Sequence, residues 1–160
     1  MENKYNRKKS DLYFHVQPDN LNCAQAVLKG FQKEFDIKDQ EIEEYRAWGG
    51  GRAKEGICGA LFSANVLLNK IGKPGITEEF NAIVGKVHCT DIKKAKFACI
   101  DCVRIADDLI EKKNKVELIA LLFIYEVHKF FTRLCLFKNT SEIRGCCNRM
   151  LFLYPTHLHA

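Results

Sequence analysis

The sequence predicts an all-α protein: a compact bundle of about five helices with a glycine-rich loop and an additional C-terminal helix. Three observations favour this fold class. Apolar residues recur at helical spacing through most of the first 115 residues, residues typical of helix caps precede several of these segments, and no stretch alternates as a half-buried strand does. A length of 160 residues and a hydrophobic content of 47% suit a chain with a real core.

The first two predicted helices lie on either side of a break at Gln17-Pro18-Asp19-Asn20. We expect one helix from about Lys4 to Val16. After the break, Asn22 is typical of an N-cap, and Gln25 three residues later completes a capping-box pattern. The second helix is therefore expected to begin at Cys23 and to run to about Phe35.

A glycine-rich loop is expected in the middle of the chain. Asp39 is predicted to cap a short helix that ends at Trp48. Four of the next eight residues, Gly49 to Gly56, are glycines, which indicates unusual backbone angles or close packing. A strongly apolar helix is expected directly afterwards, from Ile57 to Ile71.

The next two helices are predicted from a cap and from apolar periodicity. Thr77 is expected to cap a helix that fades near Gly85 to Val87, and His88 to Asp91 are expected to form a turn or a short cap. A last clear amphipathic helix covers about Phe97 to Lys113. On that helix, Asp107-Asp108 is interpreted as part of a solvated face.

Two parts of the chain are predicted: a cysteine-motif helical domain, residues 1–115, and a divergent C-terminal helix and tail, residues 116–160. A helix is expected over Leu118 to Phe137, and together with the small domain its apolar start is compatible with a homodimer. The longest apolar run, Leu118 to Tyr125, is far shorter than the roughly 18 residues of a membrane span. No secretory signal is visible, so a cytoplasmic location without a membrane span is expected. The scattered lysines and the net charge of +5 give no support for nucleic-acid binding.

The eight cysteines are the outstanding chemical feature of the sequence. In a reducing cytosol they do not suit a permanent disulfide framework. Cysteines also serve as small core residues, an interpretation that suits one or two of them better than eight. Metal ligation or redox chemistry is the better expectation.

Several cysteines are predicted near the starts of helices, where free N–H groups and partial positive charge stabilise a thiolate. Cys23 is placed at the first position of one helix and Cys58 within the first turn of another. Arg52 and Lys54 are expected to add positive charge beside Cys58. The candidate redox thiols are Cys23, Cys58, Cys99 and Cys102.

Cys99 and Cys102 form a CxxC motif at the start of the last predicted helix, and Cys89 lies in the expected turn before it. No βαβ pattern surrounds this motif, so a thioredoxin fold is not expected. The second CxxC of a zinc ribbon is missing. Val103 stands where a haem attachment motif needs histidine, so no covalent haem is expected. Since no catalytic triad or phosphate-binding loop is present, the sequence leaves open whether the protein is an enzyme.

Two segments of the chain resemble the C-GCAxxG-C-C family of putative redox-active proteins. They are Asn22-Cys23-Ala24-Gln25-Ala26-Val27 and Gly49-Gly50-Gly51…Gly56-Ile57-Cys58-Gly59-Ala60-Leu61, followed in the family's order by Cys89-Thr90 and Cys99…Val103-Arg104-Ile105-Ala106. The resemblance covers roughly residues 8 to 113. The family usually has glycine five residues after the second cysteine, where this chain has Ser63.

The resemblance implies a compact helical domain with four signature cysteines, Cys23, Cys58, Cys89 and Cys99. A similar domain accompanies the haem-binding part of split-Soret cytochromes, for which an iron–sulfur role has been suggested. Four thiolates can complete the ligand set of one cluster. The first hypothesis is thus an iron–sulfur cluster or other metal on these four cysteines, with Gly50, Gly51 and Gly56 in the loop that shapes the site.

Two alternatives remain open at the level of sequence. In one, the protein exchanges dithiols and disulfides with a redox partner protein, through the Cys99–Cys102 pair or a Cys23–Cys58 pair. In the other, the cysteines only fill the core of a non-catalytic helical interaction module. All the redox hypotheses require separate segments to bring their sulfur atoms to one pocket.

Overall fold

The computed structural model describes residues 7–115 and Lys129. Within this part the chain is helical and contains no strand; Phe14 with Leu21 and Ile57 with His88 form isolated backbone bridges. The predicted all-α fold is therefore confirmed. The chain divides into two units, Met1–Lys115 and Val116–Ala160, and the fold described is that of the first. The helix predicted over Leu118–Phe137 lies outside the described residues.

Six α-helices make up the described domain. In chain order they are α1 (Cys23–Gly30), α2 (Asp39–Glu44), α3 (Gly59–Lys70), α4 (Thr77–Val84), α5 (Cys89–Lys94) and α6 (residues 99–115). Short 3-10 segments cover Ser10–Tyr13, Tyr45–Trp48 and Lys54–Gly56. None of the helices described is both long enough and apolar enough to cross a membrane.

Helix α1 lies at the centre of the domain and packs against both α3 and the Ser10–Tyr13 segment. Its start is the capping box that the sequence predicts: Asn22 Oδ1 accepts hydrogen bonds from the N–H groups of Ala24 (2.9 Å) and Gln25 (3.0 Å), and the side chain of Gln25 accepts one from the N–H of Asn22 (3.2 Å). This box fixes the position at which Cys23 enters the helix. The helix ends at Gly30, earlier than the predicted Phe35, and turns follow it to Asp36.

The first predicted helix is wrong in most of its described part. Residues 7–9 are not helical, and only Ser10–Tyr13 form a short 3-10 segment. Tertiary contacts account for this difference, because the side chains of Arg7, Lys9 and Ser10 form hydrogen bonds with Asp107 on α6. Lys9 has an extended backbone in this arrangement, with φ −61° and ψ 148°.

The predicted helix caps at Asp39 and Thr77 are wrong, since each is the first helical residue instead. The carboxylate of Asp39 accepts hydrogen bonds from Lys29 and Gln32. The hydroxyl of Thr77 accepts one from Asn65 Nδ2 at 2.9 Å, while Asn65 Oδ1 accepts one from the N–H of Ile76 at 2.8 Å. The start of α4 is thus stabilised by a side chain of α3 rather than by its own cap.

Helix α5 replaces most of the turn predicted at His88–Asp91. It is six residues long, too short to give a clear apolar period, although Ile92 is buried. Its start is held by the bridge between Ile57 and His88 and by a hydrogen bond from the N–H of Cys58 to the carbonyl of Val87 (2.8 Å). These contacts join the starts of α3 and α5.

The predicted solvated face at Asp107-Asp108 is wrong for one of the two residues. The Asp108 side chain is 72% exposed, whereas that of Asp107 is only 1% exposed. Burial by itself would raise the pKa of Asp107, but hydrogen bonds from Arg7, Ser10 and Lys9 lower it to about 2. A buried carboxylate is tolerated here because cations and donors surround it.

Candidate functional site

Five cysteines converge on one region of the described domain. Cys23 is the first residue of α1, Cys58 is the N-cap of α3 and Cys89 is the first residue of α5, while Cys99 and Cys102 lie in the first turn of α6. They lie close enough together that negative charge on one raises the pKa of its neighbours. We call these five residues the thiol cluster; all are free thiols, and all are buried except the half-buried Cys99.

Cys23 is enclosed by backbone from the glycine-rich loop and from α3. The N–H groups of Gly50 and Ala24 donate to its sulfur and lower its pKa, but burial has the larger effect and the pKa is raised overall. A Cβ atom on Gly59 would lie only 2.9 Å from Cys23 Sγ and 2.9 Å from the carbonyl oxygen of Trp48. Glycine at position 59 therefore permits the close approach of α3 to Cys23, a role that no pattern in the sequence indicated.

The glycine-rich loop contacts the thiol cluster at two of the three positions singled out from the sequence. Gly50 donates to Cys23 as described, with φ at +66°. Gly51 has φ at +87°, and a Cβ atom there would lie 3.0 Å from the Cβ and 3.3 Å from the Sγ of Cys89. Gly56 also has positive φ, but the nearest atom to a Cβ there is the carbonyl oxygen of Gly51, at 4.0 Å. It shapes the turn of the loop rather than touching a thiol.

Cys58 is the one thiol of the cluster whose pKa is lowered, to about 7. The main cause is a hydrogen bond from the thiol of Cys102; the N–H groups of Leu61 and Ala60 at the start of α3 add to it, and burial opposes them. An N-cap side chain faces the free N–H groups of the first turn, so this position favours a thiolate. The sequence pattern predicted Cys58 inside the helix, one step later than its observed place at the N-cap.

The cations expected beside Cys58 do not account for its low pKa. The guanidinium of Arg52 instead donates to the carbonyl oxygens of Ala47 and Arg46, both at 3.0 Å. Lys54 is not among the groups that lower the pKa of Cys58. The lysine that does act on the cluster is Lys93, which partly offsets the raised pKa of Cys89 and of Cys99.

Cys102 is the buried partner of Cys58. Its pKa is raised far above that of an ordinary thiol, first because it donates its proton to Cys58, then because of burial and of charge on Cys58, Cys99 and Cys23. When Cys58 ionises, its neighbour Cys102 therefore retains the proton that the two thiols share. The CxxC motif drew attention to Cys102, but nothing in the sequence linked it to Cys58.

The thiol cluster contains sulfur donors that suit a metal, but the described side chains are not arranged around a metal position. Within residues 7–115, no three or more histidine, cysteine, aspartate or glutamate side chains are arranged to hold a metal ion. His88, beside Cys89, is exposed. Thiolates suit soft metals and iron–sulfur clusters by their chemistry, yet Cys23, Cys58, Cys89 and Cys99 do not form a ligand set as they stand.

Comparison with known proteins identifies the family. Residues 21–116 match the model of the family described as "Putative redox-active protein (C_GCAxxG_C_C)", a match that spans α1 to α6 and includes the whole thiol cluster. No curated protein and no solved structure matches the chain. The chain therefore belongs to the C_GCAxxG_C_C family of putative redox-active proteins.

Proposed function

We propose that the protein exchanges electrons with disulfides through Cys58 and Cys102. The proposal is supported by the placement of Cys58 at the N-cap of α3 beside Cys102 in the first turn of α6, where a hydrogen bond from Cys102 lowers the pKa of Cys58 to about 7. An attacking thiol works best when its pKa lies near the ambient pH, since it is then both ionised and nucleophilic. A second thiol in contact with the first is what a resolving step requires.

The reaction follows from the two protonation states. The Cys58 thiolate attacks one sulfur of a disulfide, forming a mixed disulfide and releasing the first substrate thiolate, which takes up a proton. The Cys102 thiol then loses its proton and attacks Cys58 Sγ, which releases the second substrate thiol. The products are a Cys58–Cys102 disulfide and two substrate thiols, so two electrons pass from the protein to the substrate.

Burial limits the substrate of this reaction. Cys58 is 5% exposed and Cys102 is 1% exposed. In this conformation a bulky protein disulfide has no path to either sulfur, so the proposed substrates are disulfides of low molecular weight.

A redox titration of the full-length protein tests the proposal. The protein is equilibrated in a series of glutathione buffers, quenched with an alkylating reagent, and digested for mass spectrometry. We expect a Cys58–Cys102 disulfide with a midpoint potential between about −300 and −150 mV, the range of most exchange proteins. Cys58→Ser and Cys102→Ser each abolish this linkage, while Cys135→Ser, the same substitution outside the described residues, retains it. Absence of the linkage throughout the series would refute the proposal.

A second candidate function is binding of an iron–sulfur cluster or other metal by Cys23, Cys58, Cys89 and Cys99. It is favoured by the convergence of four signature thiols from four helix starts, and it requires the sulfurs to move closer together than they are. Anaerobic reconstitution with iron and sulfide, followed by a visible spectrum and iron analysis, tests it. Iron that binds to the wild type and is lost in Cys23→Ser would support it; a colourless, iron-free protein would rule it out.

A further inference from the structure

Cys102 interacts with two other thiols of the cluster. It donates its proton to Cys58. Cys99 lies one turn earlier on α6, and its charge also raises the pKa of Cys102. Among the five thiols of the cluster, Cys99 is the one that is not fully buried. Cys102 therefore has two neighbouring thiols of different accessibility.

The start of α6 places Cys99 and Cys102 three residues apart in its first turn. Cys99 is the first residue of the helix, and the N–H of Cys102 donates to the carbonyl of Ala98 at 3.2 Å, which closes the first turn around Cys99. Residues three apart on a helix have Cβ atoms roughly 5–6 Å apart. A disulfide needs about 4 Å, a difference that a small adjustment of an end turn can supply.

We propose that Cys102 is shared by two alternative disulfides, one with Cys58 inside the protein and one with Cys99 near its surface, and that external thiols reduce the protein through Cys99. This inference rests on the dithiol function proposed above and adds the route by which the buried pair is reduced. It assigns Cys99 the contact with the reductant, which is a thiol of low molecular weight.

The reaction takes place in two stages, and its atoms and electrons balance. The Cys99 thiolate attacks Cys102 Sγ in the Cys58–Cys102 disulfide, which forms a Cys99–Cys102 disulfide and releases Cys58 as a thiolate. An external thiolate then attacks Cys99 Sγ and releases Cys102. A second external thiolate attacks the sulfur of the first external thiol in this mixed disulfide and releases Cys99. The external thiols leave as one disulfide, and the protein has gained two electrons.

The direction of the first stage follows from the leaving group. A thiol of low pKa leaves a disulfide faster than one of high pKa. Cys58 is the N-cap of α3, so a leaving Cys58 thiolate faces the free N–H groups of the first helical turn. Once free, the Cys58 thiolate is stabilised by the N–H groups at the start of α3.

The test compares the wild type with Cys99→Ser and with Ala98→Ser, a matched control that adds a hydroxyl at the exposed neighbouring position. Each full-length protein is oxidised to the Cys58–Cys102 disulfide, mixed with reduced glutathione, and quenched with acid and alkylating reagent over time. We expect Cys99→Ser to lose the disulfide at least about tenfold more slowly, because access to the buried sulfurs limits the rate. Ala98→Ser is expected to match the wild type.

The linkages found during reduction provide a second readout. The wild type is expected to pass through a Cys99–Cys102 disulfide, which Cys99→Ser cannot form, and matching circular dichroism spectra would show that the variants are folded. Equal reduction rates, or a wild type that never contains the Cys99–Cys102 linkage, would overturn the inference while leaving the Cys58–Cys102 disulfide intact. Absence of the Cys58–Cys102 disulfide itself would instead remove the proposed function.

Discussion

Arg7 and Asp107, a hundred residues apart in the chain, form a two-point ion pair in which both guanidinium NH groups donate to the carboxylate, at 2.8 and 2.6 Å. Arg7 also donates to Glu111 at 2.9 Å and lies over the ring of Phe31. The pair attaches the N-terminal segment to α6, the helix that carries Cys99 and Cys102. The stability of the domain and the position of these thiols are therefore linked.

The first prediction concerns removal of this buried charge. Asp107→Asn is expected to lower the free energy of unfolding by about 3 kcal/mol, because it leaves the cations of Arg7 and Lys9 without their buried partner. Asp108→Asn, the same change at the adjacent exposed position, is expected to cost less than about 0.5 kcal/mol. Urea denaturation measures both. Equal effects at the two positions would contradict the buried ion pair.

The second prediction is the dependence of stability on pH. The pKa of Asp107 is about 2 in the folded protein, below its ordinary value of 3.8. A depressed carboxyl pKa contributes stability that is fully present above the unfolded pKa and is lost as the pH falls towards the folded one, here from about 4 to about 2. The loss should be about 2 kcal/mol. Urea unfolding between these pH values should show this loss of stability in the wild type. In Asp107→Asn the loss should be smaller by the contribution of Asp107.

The third prediction concerns Ser63 on α3. Its hydroxyl is buried and has no hydrogen-bond partner among the described residues. Ser63→Ala is expected to raise the free energy of unfolding by about 1 kcal/mol, since it removes an unsatisfied polar group and keeps the helix-favouring Cβ. Ser63→Gly should gain less, because glycine within a helix costs about 1 kcal/mol relative to alanine.

Ser10 provides the matched control for Ser63, since it is equally buried but its hydroxyl donates to Asp107 at 2.5 Å. Ser10→Ala should therefore lower the free energy of unfolding, by about 2 kcal/mol, the scale of a hydrogen bond to a charged group. Chemical denaturation of both variants gives the comparison. A stability loss in Ser63→Ala similar to that in Ser10→Ala would mean that the Ser63 hydroxyl has a partner after all.

The fourth prediction concerns the ionisation of Cys58. Cys102→Ala removes the main hydrogen-bond donor, so the pKa of Cys58 should rise from about 7 towards the ordinary thiol value of about 8.5. Cys102→Ser retains a donor and should shift the pKa less. Rates of iodoacetamide modification at Cys58, followed by peptide mapping over a pH series, report the change. If both variants titrate like the wild type, the Cys102 thiol does not set the pKa of Cys58.

Much of the helical framework could be predicted because its signals are local. The Asn22–Gln25 capping box involves side chains and backbone groups within one turn, and it is present as the sequence pattern indicates. The apolar period of α6 likewise locates that helix to within about two residues of its observed bounds, as expected for helix ends. The family motifs are also short and local, so the amino-acid sequence alone suffices to mark the four signature cysteines as candidates.

What only the tertiary structure decided are the contacts between distant segments. The burial of Asp107 depends on Arg7, and the low pKa of Cys58 depends on Cys102, a cysteine outside the four signature positions. Neither pairing leaves a periodic or short-range trace in the sequence, because each arises from the packing of α6 against segments far away in the chain. The sequence by itself determined which residues could react, and the packing of the helices determined which of them meet.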